Sequence, residues 1–335
     1  MLDWFWLVEL AFALAAYIVL DGFDLGVGIL SGVAASATRR DQMVASISPV
    51  WDGNGTWLVI AGTILFGAFP AIYSIALPAL YAPLSAMLAG LIMRGVAIEF
   101  RHRAHGSRWV WDLLLFAGSL LAAFAQGVAL GAYAKGVPVD HMHYAGNGFE
   151  WATAFPLWCG LGAVLCYGLL GAGWLVLKGE TDLRQFGCTA LKRLTPLTVL
   201  VIAAMFVATL ADHRVIEARW QLHPALYVLP VLSLATLFCL PLAARRGEGR
   251  TPFVLAALTC ALLLVTLAAS YLPYVVPFDL TIDQAAAPAS SQTFMFWGGG
   301  LFVLPIIVAY TYVAYAVFRG RVSSDHAYHC LDHFV

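Results

Sequence analysis

Charge is what this sequence has least of. Of its 335 residues only 11% are Asp, Glu, Lys or Arg, and 61% are apolar, against about 25% charged in an ordinary soluble domain. That excludes a soluble globular fold. Neither sign is in excess, with 18 Lys and Arg against 19 Asp and Glu, so no basic surplus can neutralise a phosphate backbone and nucleic acid is excluded as a partner. Six cysteines (Cys159, Cys166, Cys188, Cys239, Cys260 and Cys330) include no CxxC pair, which argues against a disulfide framework or a thiolate metal site. Most lie in or beside apolar stretches, where a thiol acts as a small hydrophobe. Low-complexity linkers are missing, and with them any sign of disorder or of separate soluble pieces. No Walker loop, nucleophile elbow or HExxH motif occurs.

Long apolar runs are what the sequence has instead. A helix needs about 20 apolar residues to cross the hydrocarbon layer, and marking the stretches free of Asp, Glu, Lys and Arg predicts an all-α polytopic protein with about nine transmembrane helices. Residues 1–335 read as a single integral membrane domain. The first span runs from about Trp4 to Ala35, and it lacks the basic leader and small-residue cleavage site of a signal peptide, so it is expected to be retained. Gly53 to Met93 is too long for one helix, and Pro70, Pro78 and Pro83 offer places to turn between two spans. Further spans start near Leu113, Trp151, Leu194, Trp220, Pro252 and Thr293, the last ending near Phe318. The connecting loops are short, and no internal repeat stands out.

Lys and Arg in connecting loops set orientation. Loops after odd-numbered spans and the C-terminal tail hold Arg39, Arg40, Arg101, Arg103, Arg108, Lys178, Arg184, Lys192, Arg193, Arg245, Arg246, Arg250, Arg319 and Arg321, whereas the opposite loops hold Lys135, Arg214 and Arg219. The bias puts the N-terminus outside and the C-terminus in the cytoplasm. Trp109, Trp111, Trp151 and Trp220 are expected at the headgroup level, near helix ends.

Ionisable groups within a span cost about 2.5 to 3.5 kcal/mol each on insertion scales, which makes them functional candidates. Asp21 and Asp24 in LDGFDLGVG are three residues apart and share a helix face, about 25 to 30 Å from the outer end of the first span. Two carboxylates in low dielectric resist carrying two negative charges, so one is suited to holding and exchanging a proton; hydrogen bonding to neighbouring helices is the plainer alternative. Gly22, Gly26, Gly28 and Gly32 form two GxxxG spacings suited to close helix packing. In SPVWDGNGTW, Asp52 is either the N-cap of the second span or, if Asn54 or Thr56 caps it, free for proton exchange on the same membrane side. In MRGVAIEFRHR, Arg94 calls for a carboxylate among Asp21, Asp24, Asp52 and Glu99, while Glu99 and Arg103 are also spaced as a surface pair. Asp21, Asp24, Asp52, Arg94 and Glu99 are therefore the candidate proton-handling residues.

No histidine falls in the middle of a span, so haem or copper ligation within this chain is not expected. His102 and His105 sit in an inner loop, His141 and His143 in an outer one, and His223 at an outer helix end. His326, His329, Cys330 and His333 lie in the tail, where a metal site is not expected.

The segments LDGFDLGVG, WDGNGTW and RGVAIEFR, in that order, resemble subunit II of the cytochrome bd-type quinol oxidases, including the cyanide-insensitive branch. YLPYVVP and the later Ser290-Ser291-Gln292 extend the resemblance along the chain. It implies a bacterial inner-membrane respiratory complex in which a larger subunit I holds haems b and d and the quinol-oxidising loop, with this chain as a haem-free partner and no catalytic residue of its own. It further implies two four-helix bundles plus one peripheral helix, a heterodimer that a small single-span subunit can join, and room for a structural quinone or lipid among the surrounding membrane lipid. Quinol and dioxygen are the implied substrates, with charge separated but no proton pumped. On this resemblance Asp52 matches the carboxylate of a proposed proton route, and Asp24 and Arg94 match further members. Gly55 stands where a larger residue often occurs, and Glu99 where some members have Asp. A secondary transporter is the main competing class, since it too would have many spans and a few buried charges; a purely structural membrane partner is the other.

Overall fold

Helices form where the apolar runs lie, and polar breaks end them. The structure, a computed structural model, describes residues 2–104, 106–212, 214–247 and 249–322; His105 and the tail residues His326, His329, Cys330 and His333 lie outside the described residues. The helices are α1 (Leu2–Ser31), α2 (Ala37–Ile47), α3 (Trp51–Ala68), α4 (Pro70–Ala79), α5 (Tyr81–Arg101), α6 (Arg108–Ala134), α7 (Ala154–Lys178), α8 (Thr181–Asp212), α9 (Arg214–Leu222), α10 (Val228–Arg246), α11 (Thr251–Tyr271), α12 (Ile282–Ala285), α13 (Ala289–Met295) and α14 (Leu301–Val317). A π-helical turn at Phe296–Gly300 joins α13 to α14. Two short hairpins pair Val139–Asp140 with His143–Tyr144 and Tyr274–Val276 with Leu280–Thr281.

Eight segments among the described residues are long and apolar enough to cross a membrane, and α3 with α4 adds a ninth as a pair bent by 120°. The bend falls at Phe69, where Pro70 opens α4 with its fixed φ and missing N–H. Pro78 lies inside α4 and Pro83 in the first turns of α5, so neither is the turn that the sequence suggested. The span expected from Leu194 begins earlier, at Thr181. Arg184, Lys192 and Arg193 therefore ride on the helix, which long cationic stems tolerate near a membrane surface. The span expected from Trp220 begins at Pro224, because α9 precedes it. Trp220 is 1% exposed, and its Nε1 donates to Ser270 Oγ at 3.2 Å near the end of α11, which satisfies the indole within the protein.

α1, α3, α5 and α6 pack as one bundle and α7, α8, α10 and α11 as a second, with α13 and α14 at the periphery. The bundles meet where α7 packs against both α6 and α1. A Cβ on Gly26 would fall on the Tyr167 carbonyl and 2.7 Å from the Gly171 nitrogen, and one on Gly22 would lie 2.8 Å from the Tyr167 ring. Backbones thus touch with no side chain between them, as close helix crossings in membranes require. Gly28 and Gly32 face α6, against Ser119 and Phe116.

The two ends of the molecule are closed by different chemistry. At the Arg-rich end, Arg101, 1% exposed, reaches Asp41 and Asp112 at 2.6 Å each. Arg40 and Arg108 flank the same carboxylates at 3.7 and 3.8 Å, and Arg39 ties α2 to Asp182 at 3.0 Å. Burial, with the Arg101 and Arg108 guanidinium groups, holds the His102 imidazole below its ordinary range and so favours its neutral form. At the opposite end Tyr133 donates to the Val275 carbonyl at 2.6 Å and Tyr271 to the Ala134 carbonyl at 2.5 Å. Gln292, buried, donates to Asp3 Oδ1 and the Ala287 carbonyl at 2.8 Å. Between α1 and α6 of the first bundle and α7, α8 and α11 of the second lies an apolar cavity of about 220 Å³, lined in part by Ile18, Cys166, Tyr167, Met205, Leu264 and Cys260.

Gly26→Leu is expected to separate α1 from α7 and to cost at least the ~1–3 kcal/mol of an overpacked core. Gly55→Ala, where an added Cβ meets open space, is expected to change little; thermal unfolding of the purified complex compares the two.

Candidate functional site

Helical spacing places Asp21 and Asp24 on one face of α1, within its last three turns, and both are fully buried. Three other helices bring partners to them. From α5 comes Arg94, 3% exposed, whose Nη1 lies 2.7 Å from Asp21 Oδ1. From α3 comes Asn54, whose Nδ2 donates to Asp24 Oδ2 at 2.8 Å and to the Leu20 carbonyl at 3.2 Å. From α14 comes Tyr315, whose hydroxyl donates to Asn54 Oδ1 at 2.9 Å. Trp51 covers Arg94 from the α3 side, its ring centroid 5.9 Å from the guanidinium carbon. Gly95 leaves room for that indole, since a Cβ there would sit 3.1 Å from it.

The local sequence explains this convergence. α3 begins with Val50 at the N-cap position and no side-chain cap. Asp52 is therefore not the cap that its place before a helix suggested; it sits exposed in the first turn. Asn54, open to a capping reading, instead turns inward to Asp24, and the Thr56 hydroxyl bonds back to the Asp52 carbonyl at 3.4 Å. Glu99 is exposed on α5, beyond the buried Arg94. Of the candidates, then, Asp21, Asp24 and Arg94 come together in the interior, while Asp52 and Glu99 lie exposed.

The site carries two carboxylates and one guanidinium. Arg94 meets Asp21, leaving Asp24 with a neutral amide. Asp21 Oδ2, Asp24 Oδ1, Arg94 Nε and Tyr17 Oη are buried without a hydrogen-bond partner among the described residues. Unused donors and acceptors at such density leave the site able to take up a further proton. Among the described residues no group of three or more His, Cys, Asp or Glu is suited to a metal ion. Asn54 and Tyr315 are the site residues that sequence reasoning missed. The available signal was that a polar side chain one turn inside an apolar helix needs a partner, but nothing in the order of residues names α14 as its source.

Arg94→Met is expected to leave Asp21 buried and unpaired, lowering stability by about 3–5 kcal/mol. Adding Asp21→Leu removes the orphaned charge and is expected to restore much of the loss. Unfolding midpoints of the single and double variants measure it.

A family model for cytochrome bd terminal oxidase subunit II matches residues 2–318. Cytochrome bd-I ubiquinol oxidase subunit 2 of Escherichia coli (strain K12) is 29% identical over 97% of this chain and 96% of its own length. Cytochrome bd ubiquinol oxidase subunit 2 of Bacillus subtilis (strain 168) is 27% identical over 95% and 96%. A chain in the structure of bd oxidase from Geobacillus thermodenitrificans superimposes with a TM-score of 0.74 at 19% identity, covering 95% of this chain and 98% of that one, which extends the likeness to the fold. The chain belongs to the cytochrome bd terminal oxidase subunit II family, a multi-pass membrane protein and a subunit of an oxidoreductase complex.

Proposed function

We propose that this chain is the haem-free subunit II of a quinol:dioxygen oxidoreductase, that it stabilises a haem-bearing subunit I, and that it helps carry protons from the cytoplasm toward the haems. The observation that carries this reading is the buried group of Asp21, Asp24 and Arg94, in which two carboxylates share one cation and keep unused hydrogen-bonding atoms. Such a group takes up and gives up a proton with small change in structure, because a single proton balances its charge. It lies in the half of α1 nearest the Arg-rich end, which the positive-inside rule assigns to the cytoplasm. That orientation puts the N-terminus outside a bacterial inner membrane, and it puts the exposed Asp52 on the entry side.

Quinol oxidation releases protons outside and reduction of dioxygen to water consumes protons from within, so charge separates without a pump. Haems b and d belong to subunit I in this reading, and a small single-span subunit fits as a further partner. The apolar cavity between the bundles suits the chain of a structural lipid or quinone, the few polar groups at its wall being thiols, hydroxyls and one indole. A transporter is disfavoured because the buried charges gather toward one end and not near the midplane.

In the assembled complex, Asp24→Asn and Asp52→Asn are each expected to lower oxygen consumption, Asp24→Asn by about 10²-fold, the low end for a positioned proton donor. Haem content and a reduced-minus-oxidised spectrum are expected to stay as in the parent. Normal turnover in both variants would leave only the structural role. Haem bound to this chain purified alone would overturn its haem-free assignment.

A further inference from the structure

We infer that Tyr315, acting through Asn54, is a positioning residue that fixes which oxygen of Asp24 exchanges its proton. This rests on the proton-carrying role proposed above and deepens it. An amide has two faces of opposite character, and here each is held. Asn54 Nδ2 donates to Asp24 Oδ2 and to the Leu20 carbonyl, both acceptors, while Oδ1 accepts from the Tyr315 hydroxyl. Rotating the amide by half a turn would set its oxygen against a carboxylate and a carbonyl, so the tyrosine and the Leu20 carbonyl together admit one orientation. In that orientation Asp24 Oδ2 is occupied by an N–H. Asp24 Oδ1 has no partner among the described residues, and it is therefore the oxygen left for the proton.

Tyr315 is held where it can do this. Its ring packs edge-on against Phe23 and Trp174, at centroid distances of 6.5 and 6.2 Å. Its helix is otherwise the most exposed of the crossing segments, with Phe302, Ile306, Tyr310 and Tyr312 all outward. α14 is anchored beyond Tyr315 by Lys178, which donates to the Phe318 and Gly320 carbonyls. At the far end of the segment Gln292 bonds Asp3. The peripheral helix thus reaches the buried carboxylates through one hydroxyl. The groups that face Asp24 are Asp21 from its own helix, Asn54 from α3, Arg94 from α5 and Tyr315 from α14.

The test uses the assembled oxidase and two readouts, the carboxyl C=O band of Asp24 in infrared difference spectra, assigned by its loss in Asp24→Asn, and the pH profile of turnover. Tyr315→Phe, which deletes one oxygen, is expected to keep the haem spectrum, move the Asp24 band, displace the pH profile and slow turnover by about fivefold, the weight of one hydrogen bond. Asn54→Ala is expected to move the band in the same direction and further, and Tyr315→Phe added to it is expected to change nothing more. An unmoved band and profile in Tyr315→Phe, or additive effects in the double variant, would overturn the inference while leaving Asp24 as carrier. Full turnover in Asp24→Asn would instead overturn the carrier role, and the inference with it.

Discussion

Contact between the backbones of α1 and α7 at Gly26 and Gly171 is the constraint on which the rest of the molecule depends. In hydrocarbon there is no water to drive helices together, so association comes from close packing and from satisfied polar groups. Removing every side chain from one strip of α1 lets the two bundles share a common seam. It also frees a different face of the same helix for Asp21 and Asp24, which then point at α5 and α3. α1 is thus both the joint between the bundles and the carrier of their most costly residues. A substitution that widened the seam would also displace those carboxylates from Arg94 and Asn54.

The buried charges obey a second constraint. Two carboxylates and one guanidinium leave an uncompensated negative charge, and a low-dielectric interior makes that charge expensive unless a proton is bound. A fully neutralised pair would be a sound structural element with no reason to exchange anything. The excess carboxylate, its amide partner and the unpartnered oxygens are what separate this group from the Arg101 cluster at the end of the bundle. There Arg101 meets two carboxylates, but Arg40 and Arg108 stand beside them, so no carboxylate is left uncompensated and the cluster serves to close the structure.

The two ends differ for the same reason. The end rich in arginine is fastened by ion pairs among α2, α5, α6 and α8, which suits a surface where charged groups meet water and headgroups. The opposite end has few Lys or Arg residues and is fastened by tyrosine and glutamine donors to backbone carbonyls. The Tyr133 bond holds the hairpin of Tyr274–Val276 and Leu280–Thr281 against α6 through neutral groups.

Helix number, membrane class, the pairing of Asp21 with Asp24 on one face and Arg94's need for a carboxylate were legible in the sequence, because each depends on local quantities: run length, three-residue spacing and the cost of a charge in hydrocarbon. The misreadings share a cause as well. Asp52 looked like a cap and Asn54 like its substitute, since both precede an apolar helix, yet only the packing of α14 decides that Asn54 turns inward. Trp220 lies near a helix end, as read, but its partner Ser270, fifty residues on, could not be read from spacing. The sequence by itself determined that there would be about nine crossing segments and which charges needed partners, whereas the break at Pro70 within one of them came from the structure. Only the tertiary structure decided which carboxylate took the arginine and which took the amide, because that choice depends on distances between helices that no spacing within one helix encodes.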